Sequence, residues 1–353
     1  MTRVMVAMSG GVDSSVAAAM MVEEGHDVIG ATLKLWQGPN GEAPTAGCCT
    51  VSDSEDARRV AAQLDIPYYV LDYTDDFMSG VVDRFIGDYL DGRTPNPCVE
   101  CNRTVKFSRL LDQAADFDCD VLVTGHYART RRTDAGWQLL TGVDPDKDQS
   151  YVLYMLGQSE LARVRFPVGE QTKIETRSHA KSLGLRTAGK PDSQDICFVG
   201  KGDYRDFLRE HSADVIKPGF VVDTDGERLA SHNGVVDFTI GQRKGLGVAL
   251  GEPRYVIDIE PGTATVTLGR KDDLATTQFS VHDVTWVSGS PPAPGVCDVK
   301  VRYKSAPVRA SVTPVGSDAD VELHEAQGAI APGQAAVFYS DDVVLGGGTI
   351  VAS

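Results

Sequence analysis

Short apolar runs alternate with amphipathic stretches over the first third of the chain. Residues 3–8 (Arg-Val-Met-Val-Ala-Met) form an apolar run of the kind that marks a strand buried on both faces. Residues 14–24, rich in Ala and Met and followed by Gly25, predict a helix with a glycine stop. Residues 27–35 predict a second strand, and residues 36–50, with the pair Cys48-Cys49, a loop. A helix follows over 52–64, with Ser52 as its cap and Glu55 three residues on. Next come a strand over 67–72, an amphipathic helix over 77–90, a rigid loop over 92–97, a helix over 106–115 and a strand over 120–126. Strands and helices alternating at this spacing imply an α/β fold with a doubly wound parallel sheet. Ligands of such sheets sit beyond the carboxyl ends of the strands. Residues 9–15, Leu33 and the turn Gly125-His126 all fall at such ends.

The texture changes further on. Residues 150–156 lead to a helix over 176–183, and the segment 190–198 closes a first domain assigned to residues 1–200. A short helix over 203–210 opens a small, mainly β middle domain at 201–271. The remainder, 272–353, is all short alternating strands and predicts a C-terminal β-barrel. Alternation is strict over 298–304, so Lys300, Arg302 and Lys304 are expected on one face of a strand.

With 353 residues the chain has room for two or three domains. No apolar run approaches the roughly 18 residues of a membrane span, and the first residues lack a signal pattern. We therefore expect a cytoplasmic protein with no membrane partner, whose seven cysteines act as thiols, ligands or catalytic groups. The formal net charge of −16 opposes bulk attraction to nucleic acid, so any such partner must be met by local basic patches.

Candidate chemistry begins at Ser9-Gly10-Gly11-Val12-Asp13-Ser14-Ser15. A strand, a glycine turn and a helix start together make an anion site, because the glycines admit a close phosphate and the free N–H groups point at it. Asp13 suits the Mg2+ that accompanies a polyphosphate. No lysine follows the glycines, so this is not the GxxxxGK[ST] loop. It resembles SGGxDS, the pyrophosphate loop of the N-type ATP pyrophosphatases, whose members adenylate a substrate oxygen.

Cys98 and Cys101 form CxxC, with Cys197 far away in the chain. A zinc site wants four ligands and finds only one such pair, whereas sulfur transfer or redox chemistry needs a thiolate and a resolving partner. Cys119 and Cys297 read as buried, inert thiols. Arg103 and Lys106, just after Cys101, supply an electropositive field, contact phosphates, or simply face water.

Several motifs occur in order: 8–15, Arg93-Thr94-Pro95-Asn96-Pro97, Cys101-Asn102, Thr124-Gly125-His126-Tyr127, Lys147-Asp148-Gln149, Ile196-Cys197-Phe198, the Gly-Gln-Arg-Lys-Gly-Leu-Gly loop at 241–247 and Pro332-Gly333-Gln334. Together, and over the whole chain, they resemble the tRNA-specific 2-thiouridylases. That resemblance implies an adenine nucleotide alpha hydrolase-like first domain. It also implies ATP contacts at Ala7, Met8, Ser9, Gly10, Gly11, Val12, Asp13, Ser14, Leu33 and Gly125. Contacts to tRNA are implied at Asn96, Pro97, Cys98, His126, Lys147, Asp148, Gln149, Arg302, Tyr303 and Gln334.

The implied reaction adenylates O2 of the wobble uridine, position 34, in tRNAs for Lys, Glu and Gln, with Asp13, Cys98, Cys101 and Cys197 as catalytic residues. Cys197 takes sulfur as a persulfide from a donor, a cysteine desulfurase or a relay protein. Cys101 then closes a Cys101–Cys197 disulfide. Many relatives have aspartate where Cys98 stands. This departure opens a second route, in which Cys98, Cys101 and Cys197 hold a [4Fe-4S] cluster that delivers sulfide from its open iron. The target base must leave the anticodon stack to reach the pocket.

Overall fold

A computed structural model describes residues 1–37, 50–192, 196–199, 202–248 and 251–351. Cys48, Cys49 and the stretch 193–195 lie outside the described residues. The first sheet holds β1 (Arg3–Ala7), β2 (Asp27–Lys34), β3 (Tyr68–Asp72), β4 (Val121–Thr124) and, after a hairpin of β5 (Ala128–Thr133) and β6 (Gly136–Thr141), the two-residue β7 (Val164–Arg165). Its order is β3-β2-β1-β4-β7, parallel throughout. Helices pack on both faces. Val4, Val6, Val16 and Ala57 belong to one apolar cluster, and Met5, Ile29, Phe77 and Leu122 to the other. Alternate residues of β1 thus enter opposite cores, which is why its sequence is an unbroken apolar run.

The strand order, not the chain direction, reverses at β1: its successors β2 and β3 lie on one side and β4 on the other. The turns after β1 and β4 therefore open into the crevice where doubly wound sheets bind ligands.

The middle of the chain forms a four-stranded sheet from β8 (Gly219–Val222), β9 (Arg228–His232), β10 (Tyr255–Glu260) and β11 (Thr265–Gly269). The last part contributes β12 (Ala275–Trp286), β13 (Gly295–Lys300), β14 (Val308–Val315), β15 (Asp318–Gly328), β16 (Ala335–Ser340) and β17 (Val343–Ile350). Pairing of β12 with β17 closes these six strands into a barrel around Val299, Val312, Val321 and Phe338. The β5–β6 hairpin extends this barrel sheet: Val343 and Val344 of β17 face Leu140 and Leu139 of β6. The hairpin is not apparent in the hydropathy pattern, because three of the six residues of β5 are arginines.

Three local expectations are corrected. The helix expected over 52–64 is Val51–Gln63, capped by Thr50, with Asp53 completing the reciprocal box; an aspartate reaches back as well as a glutamate does. The loop at 92–97 ends earlier than expected. Asn96 accepts from the amides of Cys98 and Val99, and Pro97 opens a helix that runs on through a π-helical stretch, Cys101–Arg109, to Asp116. Finally, β13 stops at Lys300. Residues 301–305 turn toward β14 with Val301 in the barrel core, so Lys300, Arg302 and Lys304 do not form one strand face.

Candidate active site

Gly11 caps the helix Val12–Glu23 without any side-chain partner for its first N–H groups, which remain available to an anion. Gly10 has φ +72°, and a Cβ there would lie 2.1 Å from the Asp53 carbonyl oxygen. A Cβ on Gly125 would come within 2.6 Å of the Ser14 amide nitrogen. Both positions require glycine for close backbone approach. Ser14 Oγ accepts from the Ser9 amide at 3.1 Å, and Ser15 Oγ donates to the Gly11 carbonyl at 2.8 Å, so the turn is braced from inside. Ala7 and Met8 lead into it, and Met8 is tied through its carbonyl to the Thr32 hydroxyl. Leu33 lies buried near the end of β2.

Cations surround this turn. Lys173 Nζ, on a helix that starts at its own residue, donates to both oxygens of Asp13 at 2.7 and 2.8 Å and lies 2.8 Å from Asp192. Tyr127 adds a hydroxyl donor to Asp13 at 2.9 Å. Lys147 and Arg177 also reach Asp192, each at 2.8 Å. Partial burial opposes ionisation of Asp192, but its bonds to Lys147 and Lys173 prevail and hold it at about 2. On the other side, Lys190 Nζ donates to the Gly10 carbonyl at 3.0 Å, to Asp53 at 2.6 Å and to Asp56 at 2.8 Å. Burial works against the Lys190 charge, and the two aspartates raise it again. Lys173, Arg177, Lys190 and Asp192 were not picked out as site residues from the sequence; Lys173 and Lys190 reach the loop from 160 and 180 positions away, and Arg177 joins the group only through Asp192.

Two of the thiols belong to one apolar core. Cys101 is buried in the large apolar cluster on one face of the sheet, and Cys197 packs against the same cluster with Ile196. Phe198 anchors that segment, with ring centroids 5.7 Å from Phe77, 5.1 Å from Phe85 and 5.2 Å from Phe207. Cys98 is exposed on the first helical turn, while Cys101, one turn on, already faces the core. Among the described residues no three His, Cys, Asp or Glu side chains are placed to hold a metal ion. The three-thiol ligand set of the second, iron–sulfur route is not grouped in this way: Cys98 is exposed, Cys101 buried and Cys197 half-buried. Cys119 and Cys297 are buried, and burial raises both thiols, Cys297 to about 11.

Comparison with known proteins completes the picture. Residues 2–201 match the family described as tRNA methyl transferase HUP domain, residues 205–270 the tRNA methyl transferase PRC-barrel domain, and residues 276–350 the aminomethyltransferase beta-barrel domain. A tRNA-specific 2-thiouridylase MnmA of Roseiflexus castenholzii is 47% identical over 368 residues, covering 99% of each chain. Those of Chloroflexus aurantiacus and Methylobacterium radiotolerans are each 48% identical, over 99% of this chain and 98% and 93% of theirs. The chain belongs to the tRNA-specific 2-thiouridylase family.

The residues at which that family resemblance implies tRNA contacts are held as follows. Asn96 and Pro97 start the Cys98–Cys101 helix. Gln149 Oε1 accepts from the Tyr127 amide at 3.0 Å, and Asp148 accepts from the Gly142 amide and from the amide and hydroxyl of Ser150. His126 bonds Thr124 at 2.7 Å, and its ring forms a three-ring cluster with Phe107 and Phe166. Burial, aided by Lys106, pushes it well below the usual histidine range. From the barrel, Tyr303 sits 5.9 Å from Tyr151; burial, Asp148 and Cys98 push its hydroxyl up to about 12. Gln334 Nε2 donates to the Thr94 carbonyl at 2.7 Å, and Thr94 donates in turn to the Pro332 carbonyl. Arg302 donates to the Ala329 carbonyl. Tyr303 and Gln334 thus meet the Cys98 segment, while Arg302 braces the barrel connection.

Proposed function

We propose that this chain is an ATP-dependent tRNA-uridine 2-sulfurtransferase acting on the wobble uridine of tRNAs for Lys, Glu and Gln. The observation that carries the reading is the full-length 2-thiouridylase identity together with a glycine-turn anion site and two thiols on one core.

The uracil O2 attacks the α-phosphorus of ATP, the bond from that phosphorus to its bridging oxygen breaks, and pyrophosphate leaves. The helix start at Val12 and the cations Lys173 and Lys190 take up the charge of the departing phosphates. Asp13 is the residue that would hold Mg2+, which would neutralise phosphate charge; its two oxygens are met here by the ammonium of Lys173.

The terminal sulfur of a Cys197 persulfide attacks C2, and AMP leaves with O2. The Cys101 thiolate then attacks the Cys197 sulfur, breaking its S–S bond. Sulfur stays on C2, and a Cys101–Cys197 disulfide forms, which a thiol reductant reopens. A persulfide-carrying protein supplies the sulfur, and the anticodon loop supplies the flipped base.

The test incubates tRNA with enzyme, ATP and a sulfur source, followed by electrophoresis in a mercury-containing gel that retards thiolated RNA. A retarded band that vanishes in Asp13→Ala supports the reading. Cys101→Ser loses the band as well; an enzyme that merely adenylates small molecules would not need that thiol.

A further inference from the structure

We infer that the β5–β6 hairpin and the segment behind it form a docking strip for the phosphate backbone of the substrate RNA. The inference rests on the tRNA reading above. It starts from the charge problem: a chain at −16 repels RNA unless cations are gathered locally.

Most arginines of this protein are spent on carboxylates. Arg93 pairs with Asp88 and Asp91, Arg109 with Asp76, Arg129 with Asp342 and Arg209 with Asp206 and Asp237. Among the described residues, Arg131, Arg132, Arg163 and Arg165 meet no carboxylate within ion-pair distance; their partners are neutral. Arg131 donates to the Gln138 side chain at 3.0 Å. Arg132 lies over the Trp137 ring at 5.6 Å, and Arg165 over the same ring at 4.7 Å. Arg163 donates to the Leu111 carbonyl at 2.8 Å. Arginines stacked on an aromatic ring keep their charge and a defined direction, an arrangement suited to phosphate.

Arg132 and Arg165 share the Trp137 ring, and Arg131 precedes Arg132 on β5. Arg132 and Trp137 face each other across the hairpin, Arg163 ends the helix before β7, and Arg165 is the last residue of β7. Arg131 and Arg132 are exposed. Arg163 also lines a cleft of about 310 Å³ beside Arg103 and Phe107, on the helix that carries Cys101. The strip therefore leads from the outer edge of the barrel sheet to the catalytic helix. Opposing charge nearby includes Asp112, which lines the same cleft as Arg163. Asp134 sits at the hairpin tip, and the Glu160 carboxylate is taken by the Gly157 amide and the Ser159 hydroxyl.

The backbone-contact reading makes a specific prediction for the double variant Arg131→Glu/Arg132→Glu. Its affinity for tRNA, measured by filter binding, falls about tenfold or more, and the slope of log affinity against log salt shrinks by about one unit per arginine. In turnover the loss reads as a raised KM for tRNA. Arg131→Lys/Arg132→Lys restores part of the binding, since it returns the charge without the guanidinium that stacks on Trp137. ATP affinity, measured without RNA, reports that the variant is folded. If the unaltered enzyme thiolates tRNA and the Glu variant binds it with unchanged affinity and slope, the strip is wrong and the function stands. If the unaltered enzyme binds no tRNA, both fall.

Discussion

Lys173 places its ammonium on both carboxylate oxygens of Asp13, at 2.7 and 2.8 Å, with the lysine side chain only 10% exposed. A residue 160 positions away thereby fills the spot where the glycine turn presents its carboxylate. The same ammonium reaches Asp192, so one cation ties the turn to the segment that leads on to Cys197.

Lys173→Ala should weaken ATP binding by roughly tenfold or more, since hydrogen bonds between charged groups contribute about 1.5–3 kcal/mol. Titration calorimetry with ATP, without RNA, measures this. Lys173→Arg should recover part of the affinity.

Gly10→Ala should destabilise the fold by about 3 kcal/mol, because the new methyl would meet the Asp53 carbonyl and φ +72° disfavours any side chain. Thermal and denaturant unfolding check it. Gly25→Ala shares the positive φ but has open space around it, so it should cost less, about 1 kcal/mol.

Gln334→Ala removes the barrel's bond to the Thr94 carbonyl just ahead of the Cys98–Cys101 helix. One such bond contributes about 1 kcal/mol, so the chain should fold while thiolation slows. Faster amide exchange across residues 93–100, measured by mass spectrometry, would show that the loop has loosened. Unchanged exchange with normal activity would refute a clamping role.

Burial beside Phe107 and Phe166 holds the His126 imidazole well below its ordinary range. The unfolded chain therefore binds an extra proton below about pH 6.5, and stability should fall as pH drops through that value, by at most about 1.4 kcal/mol per unit. His126→Gln should flatten the stability profile between about pH 6.5 and 5. Denaturant titrations at each pH read the slope directly.

Cys197→Ser and Cys101→Ser should both abolish thiolated product. Pyrophosphate release in the presence of tRNA should continue in each, because adenylation precedes the use of either thiol. Radiolabelled ATP with thin-layer separation distinguishes the two steps.

Sequence alone carried the parallel sheet, the glycine turn at 9–15 and the family, because these depend on local spacing: apolar runs of strand length, glycines where backbone must approach, and motifs in fixed order. Local pattern also misled in places. Alternation over 298–304 continued past the point where β13 ends, since the barrel needs a turn there, and the cap of the second helix lay one half-turn earlier than Ser52. Only the tertiary structure decided which cations meet Asp13, that a hairpin from the first domain joins the barrel, and that Gln334 holds the loop before Cys98. Those contacts join residues 160 to 240 positions apart, and a charged side chain looks the same in sequence whether it faces water or a distant carboxylate. Folding selects between the two by burial and by the partners that packing brings within hydrogen-bond reach.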